Sequence, residues 1–338
     1  MYSSAGKSDV LALQDRPVRD PGPGEVRVRV HVSGVNPTDW KSRFVGGGLT
    51  GDLDPDGQIP NQDGAGVVDA VGEGVDAGRV GQRVWLWEAA YQRADGTAQE
   101  FTVLPSRQAV ALPDNASFDL GASLGIPALT AHRALTLASD GPRTLGPGAL
   151  EGRTVLVAGG AGAVGNAAIQ LARWSGARVL ATVSGPEKAA LATAAGAQHV
   201  VNYRAGDPAK EIRALVPGGV DLIVEVNPGT NAELDRAVLG RGGAVAYYSG
   251  NDLDEQIAVP AFPAMWNNQA WHGILVYTVS DAVKGRAIAD VSAAVAAGAL
   301  RVGAAAGLPL HRFPLERTGD AHDAVEAGAV GKVLIDVA

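Results

Sequence analysis

Gly160-Ala161-Gly162-Ala163-Val164-Gly165 is the segment whose residue types and spacing point most directly to chemistry. This G-x-G-x-x-G run follows the apolar stretch 154–158 and opens a helical pattern, the setting in which such glycines cradle a phosphate. Gly160 permits the tight turn, Gly162 lets backbone N–H groups approach a pyrophosphate, and Gly165 lets the helix pack close to the strand. The helix N-terminus presents roughly half a positive charge to the anion. Dinucleotide binding is the chemistry implied; a glycine-rich turn with no ligand is the alternative.

The tip of the second strand, about 20 residues beyond the first glycine, selects the dinucleotide. There the chain reads Ala181-Thr182-Val183-Ser184-Gly185-Pro186-Glu187-Lys188, with no carboxylate to meet a ribose 2′-hydroxyl. Lys188 and Arg204 are cations suited to a 2′-phosphate, so NADPH is expected rather than NADH, although both also read as ordinary surface charges. Glu187 reads as the far half of an S-x-x-E capping box with Ser184 as N-cap, a role that competes with Ser184 as a phosphate ligand.

Other chemistries are narrowed by composition. The chain has no cysteine, which removes disulfides, thiolate catalysis and every metal site that needs a thiolate. Its six histidines are scattered, without H-E-x-x-H spacing, and read as structural. With 28 Lys and Arg against 36 Asp and Glu, the net charge of -8 carries no basic stripe, so no nucleic-acid partner is expected. Neither a signal peptide nor a run of about 18 apolar residues is present, so a soluble cytoplasmic protein with no membrane partner is expected.

Two modules must position these residues. Residues 24–35 alternate strictly, placing Val26, Val28, Val30 and Val32 on one strand face. Runs at 66–71, 83–87 and 100–104, separated by Gly- and Asp-rich turns, extend this into a β-rich module over residues 1–125. Its glycine-rich segment 46–60 reads as a mobile loop or a lid. From residue 154 the rhythm becomes strand, helix, strand, with five apolar strands ending in 243–249 and the run 273–279 as a candidate sixth. That pattern predicts an α/β class, with a doubly wound parallel sheet covered on both faces. Residues 139–152 read as a surface insertion, and a helix at 287–297 precedes a last strand at 333–337.

Several ordered segments together resemble the zinc-free quinone oxidoreductase, or zeta-crystallin-like, branch of the medium-chain dehydrogenase/reductase superfamily. They are Gly34-Val35-Asn36-Pro37-Thr38-Asp39, Gln62-Asp63-Gly64-Ala65-Gly66, Pro127-Ala128-Leu129-Thr130-Ala131, the glycine loop, Val201-Asn202-Tyr203-Arg204 and Gly331-Lys332-Val333-Leu334. The resemblance implies a GroES-like catalytic domain (1–125), a Rossmann domain (126–270) and a sheet-edge strand with a return to the catalytic domain (271–338), the nicotinamide lying in the cleft between the domains. Zinc-containing relatives carry metal ligands where this chain has Asn36, Gln62 and Ile126. The resemblance therefore implies hydride transfer from NADPH to an acceptor needing little electrophilic help, a quinone or activated conjugated enone, by a homodimer.

By the same resemblance Asn36 and Asp39 line the nicotinamide side and Thr130 approaches the ring. Gly162, Ala163 and Val164 meet the pyrophosphate, Lys188 and Tyr203 flank the adenosine phosphate, and Ser249, Gly250 and Lys332 lie close to the cofactor. Plainer roles stand beside these: Asn36-Pro37 as a turn initiator, Asp39 as a helix start and Tyr203 as a strand-end aromatic. Two departures are visible. Only Met1-Tyr2 precedes Ser3-Ser4-Ala5-Gly6, so the usual first strand is short or absent, and Lys41 follows Asn-Pro where enoyl-thioester reductases carry a tyrosine. No obvious strong general acid is then left beside the acceptor; solvent or a loose local donor would deliver the proton, and Lys41 is expected to matter modestly, more for slower acceptors. Two other functions compete: a pathway-specific double-bond or ketone reductase, with Trp40, Trp85, Trp87 or Tyr91 shaping its pocket, and a non-catalytic NADPH-binding protein.

Overall fold

The computed structural model describes the 338-residue chain except residues 48–51, 55, 251 and 253. It divides into two compact units, residues 1–126 with 309–338, and residues 127–308. Sequence set the second boundary at 270; in the structure the stretch up to 308 stays with the second unit.

The first unit is built on β1 (Glu25–Val35), α1 (Pro37–Val45), β2 (Asp63–Val71), β3 (Arg83–Leu86), β4 (Phe101–Pro105), β5 (Ala109–Ala111) and α2 (Phe118–Gly121). The second begins along α3 (Gly125–Leu135) and continues with β6 (Thr154–Ala158), α4 (Ala163–Trp174), β7 (Arg178–Val183), α5 (Pro186–Ala195), β8 (His199–Asn202) and α6 (Pro208–Leu215). It ends with β9 (Val220–Glu225), α7 (Pro228–Val238), β10 (Leu239–Tyr247), α8 (Ala261–Trp266), β11 (Ala270–Gly273) and α9 (Asp281–Ala296). The chain then returns to the first unit with β12 (Leu310–Pro314), α10 (Thr318–Glu326) and β13 (Lys332–Asp336).

In the first unit the sheet runs β12-β13-β1-β2-β3-β5, with β4 also on β1. The alternation read from sequence is what closes it. Val26, Val28 and Val30 are completely buried against Val68, Val84, Leu86 and Leu104, each such side chain contributing roughly 1.5–3 kcal/mol of transfer free energy. No strand precedes β1 among the described residues; Tyr2 makes only an isolated bridge to Gln58. The expected lid of residues 46–60 lies partly outside the described residues, and its far end is held by bridges from Gln58 to Tyr2 and from Ile59 to Asp95. Trp85 and Trp87 are core side chains, which leaves Trp40 and Tyr91, both half-buried, as the aromatic candidates with free surface.

The second unit holds a six-stranded sheet in the order β11-β10-β9-β6-β7-β8, every pair parallel. The chain moves outward from β6 to β8 on one side, then reappears at β9 and moves outward on the other. That reversal opens a crevice at the carboxyl ends of β6 and β9, the usual ligand position in such sheets. The insertion 139–152 is anchored by buried Leu145 and Leu150, and Asp290 Oδ2 accepts from the Leu145 N–H (2.6 Å) while bonding His132 Nε2 (2.7 Å).

Two local expectations are corrected. The sixth strand is Ala270–Gly273, not 273–279, because β10 ends at Tyr247 and the ladder has no rung after Ile274 N–H reaches Tyr247 O; residues 276–278 form a single helical turn instead. The Ser184–Glu187 capping box does not form. Pro186 is the first residue of α5, so extended Gly185 is the N-cap and Ser184 lies one residue outside the helix.

One buried feature was not anticipated. Glu225, at the carboxyl end of β9, and Asp235, on α7, are each 1% exposed and joined side chain to side chain. The Asn227 N–H and Asn231 Nδ2 donate to Glu225 Oε1. Burial, and then the Glu225 charge, push the Asp235 carboxyl up to about 9. A carboxyl raised in the folded state keeps a proton that the unfolded chain releases, so its contribution to stability falls as pH climbs from the ordinary Asp range toward 9. Asp235→Asn should accordingly melt above the parent at pH 9, with the gap closing by pH 5, in thermal unfolding followed across that range.

Candidate active site

In the first unit the site residues are set by the start of α1. Asn36 is its extended N-cap, Pro37 fixes the first turn, and Asp39 Oδ2 accepts the Asn36 N–H at 2.7 Å. Both plainer roles weighed for these residues are therefore present. The Asn36 side chain is used as well: Nδ2 donates to Asp63 Oδ2 (2.7 Å), and Oδ1 accepts from Lys332 Nζ (2.7 Å). Lys332 Nζ also lies 3.4 Å from Asp63 Oδ2, while Asp63 Oδ1 accepts the Ile126 N–H at 2.9 Å. Four separated segments thus meet at one carboxylate, which sequence reasoning left out although it adjoins Gln62 in a matched segment.

The electrostatics follow from burial. Asp39, Asp63 and Lys332 are 4%, 0% and 2% exposed, and one ammonium serves two carboxyl groups. Burial raises Asp63, with Lys332 and Asn36 opposing. Burial first, with the Asp63 charge added to it, pushes Asp39 up to about 8 against the pull of the Asn36 N–H and Lys332. Burial likewise lowers Lys332, while Asp63 and Asp39 hold it up. Behind this group Thr97 Oγ1 donates to Asp63 O, Ser33 Oγ bonds Thr97 Oγ1 (2.7 Å), and Asn61 bridges Ser33 (2.9 Å) to His322 Nε2 (2.9 Å). Because Asn61 Oδ1 can only accept, His322 Nε2 carries the proton; burial drives that imidazole down to about 3, so it stays neutral.

In the second unit the glycine loop forms the turn between β6 and α4. Its left-handed residue is Gly159 (φ 67°), one place ahead of the motif, so the tight turn rests there rather than on Gly160. At Gly160 a Cβ would crowd Ala181 and Ile169, and at Gly165 it would sit 2.4 Å from Gly159 O, so the helix can approach only without side chains. Gly162, the N-cap of α4, is exposed, and a Cβ there would meet only Gly159 O, at an ordinary 3.5 Å. Ala163 and Val164 are half-buried in the first turn of α4. Ser184 and Lys188 lie at the carboxyl end of β7, Tyr203 and Arg204 just beyond β8, and Ser249 and Gly250 beyond β10, so all share the sheet edge that carries the glycine turn. Lys188 is half-buried and makes no hydrogen bond or ion pair among the described residues.

The structure does not gather every candidate. Lys41 is two residues past Asp39 on α1, away from the buried face, with Nζ 5.8 Å from the centre of the Trp40 ring. Thr130 is buried in α3. Lys332, expected beside a cofactor, spends its ammonium on Asn36 and Asp63. The three positions matched to metal ligands are also spent: the Asn36 amide on Asp63 and Lys332, Gln62 Oε1 on the Ala90 N–H (3.1 Å), and Ile126 offering only its backbone N–H. Among the described residues no group of three His, Cys, Asp or Glu is placed to hold a metal.

Comparison with known proteins accounts for both halves. Residues 22–114 match the alcohol dehydrogenase GroES-like domain, and residues 163–293 match the family described as zinc-binding dehydrogenase. The quinone oxidoreductase of Rattus norvegicus is 33% identical over 242 residues, 71% of this chain and 69% of that protein. The chain belongs to the medium-chain dehydrogenase/reductase superfamily of oxidoreductases. Within that superfamily it is related to quinone oxidoreductases; its six-stranded parallel unit is the Rossmann domain and its other unit the GroES-like domain. A solved NAD-dependent alcohol dehydrogenase superposes with a TM-score of 0.83 at 28% identity, covering 99% of this chain and 98% of that one. A mycobacterial protein solved with NADPH gives 0.79 at 26%, with the same coverage of each chain.

The buried charge group of this medium-chain oxidoreductase makes a direct prediction. Lys332→Met leaves two carboxyl groups without their cation, at a cost of about 3 kcal/mol. Denaturant unfolding should show that loss at pH 8, and a smaller one at pH 5, because burial raises the proton affinity of both carboxyl groups.

Proposed function

We propose that the protein is an NADPH-dependent oxidoreductase that reduces a quinone or an activated, conjugated enone without zinc. The observation that carries this reading is that Asn36, Gln62 and Ile126 are each committed to protein partners, so the donor set does not fit a catalytic zinc. An acceptor must then accept hydride with little polarisation of its carbonyl. When bound, the nicotinamide supplies the hydride.

The residues of this chain provide placement. The exposed, uncrowded backbone at Gly162 suits a pyrophosphate, and the α4 N-terminus suits its charge. Ser184, freed from capping, Lys188, Tyr203 and Arg204 are assigned to an adenosine 2′-phosphate; no carboxylate stands at the tip of β7, and the first one beyond it, Glu187, lies in the first turn of α5. Asn36, locked by Asp63 and Lys332, and Asp39, locked onto the Asn36 N–H, act as positioning residues, and Lys41 is the cation that can lend a proton to slower acceptors. A homodimer is assigned to the β11 edge of the sheet, where no further strand pairs among the described residues and Phe262, Met265 and Trp266 stand exposed on α8.

Two experiments test this. NADPH should bind at least tenfold more tightly than NADH, about 1.4 kcal/mol, and Lys188→Ala should erase most of the difference; equal dissociation constants in the parent would reject the cofactor assignment. In steady-state assays with saturating NADPH, quinones and activated enones should outrun simple ketones, before and after exhaustive chelation. Asn36→Ala should slow every acceptor, whereas Lys41→Met should slow mainly the ketones, because a ketone needs proton transfer that a quinone does not. Fast ketone reduction restored by added zinc would reject the reading.

A further inference from the structure

The second unit contains another concavity, far from the glycine turn. A cavity of about 510 Å³ opens at the amino ends of β9, β10 and β11, bordered by Gly218, Leu239 and Gln269, whereas the glycine turn lies at the carboxyl ends. Its volume is within the range of small-molecule sites. Arginines from three elements reach it: Arg213 of α6, Arg236 of α7 and Arg241 of β10. The one acidic side chain on its wall is Glu233, and no ion pair joins these four residues among those described. The wall therefore carries two positive charges in excess.

Arg213 is already fixed in place. Its Nε donates to Ala237 O (2.7 Å), and its terminal nitrogens donate to Pro217 O and Leu239 O (3.3 Å each). The guanidinium is thus held before any ligand arrives, with N–H donors to spare. Arg236 is steadied by Nε on Ala232 O (3.3 Å), and Arg241 is exposed and has no partner among the described residues. Val259, Pro260 and Pro263 add an apolar part to its lining. Three guanidinium groups with a net charge of two match a dianion that accepts forked hydrogen bonds, and an apolar wall matches a flat or greasy body.

We propose that this cavity is a second ligand site, separate from the glycine turn, for a phosphomonoester carried on an apolar or aromatic body. The probe is phenyl phosphate, titrated calorimetrically into the intact protein in the presence of saturating NADPH. One equivalent should bind, at least tenfold more tightly than inorganic phosphate or benzoate. The double variant Arg236→Glu/Arg241→Glu should weaken phenyl phosphate at least tenfold while leaving the melting temperature and NADPH affinity unchanged, and Arg241→Ala should fall between it and the parent. Four results would overturn the proposal: no binding by the parent at millimolar probe; equal affinity in parent and double variant; benzoate binding as tightly as phenyl phosphate; or displacement of the probe by NADPH, which would place it at the glycine turn.

Discussion

The Asp63 carboxylate organises the first unit. It is completely buried, and it is tolerated there because an ammonium, a side-chain amide and a backbone N–H converge on it from Lys332, Asn36 and Ile126. Desolvating an ion costs several kcal/mol unless its lone pairs are met, so these contacts are obligatory once the carboxylate is inside. Meeting them joins the strand after α10 to the start of α1 and the start of α3, segments up to 296 residues apart. The same requirement fixes the Asn36 amide in one orientation, while burial, with the Asp63 charge added, gives Asp39 its raised affinity for a proton.

The second unit solves a different problem. Its strands are apolar on both faces and parallel, so all their carboxyl ends lie along one edge, and every loop that could touch a dinucleotide leaves from that edge. Close approach there is a matter of missing atoms: Gly160 and Gly165 let the helix settle on the strand, and Gly162 leaves room beside the α4 N-terminus. The Glu225–Asp235 pair sits at the same edge and ties α7 to β9 by sharing a proton. At the opposite edge three guanidinium groups and a single carboxyl group, Glu233, border the cavity.

What the sequence determined by itself was the local and the periodic. Alternating valines placed β1, apolar runs broken by glycine and proline placed the parallel strands, and the spacing of Gly160, Gly162 and Gly165 marked the turn between β6 and α4, because each depends on neighbours within a few residues. Tertiary structure decided the rest. Sequence could not say that β11 ends at Gly273, because that depends on where β10 stops, nor that Gly185 rather than Ser184 caps α5, because Pro186 takes the first helical position. Nor could it show that Lys332 turns its charge toward Asn36 and Asp63, or that Arg213, Arg236 and Arg241 share one cavity. A buried charge takes its partner from whatever the fold brings within about 3 Å, and residues 36, 63 and 332 become neighbours only when the sheet closes.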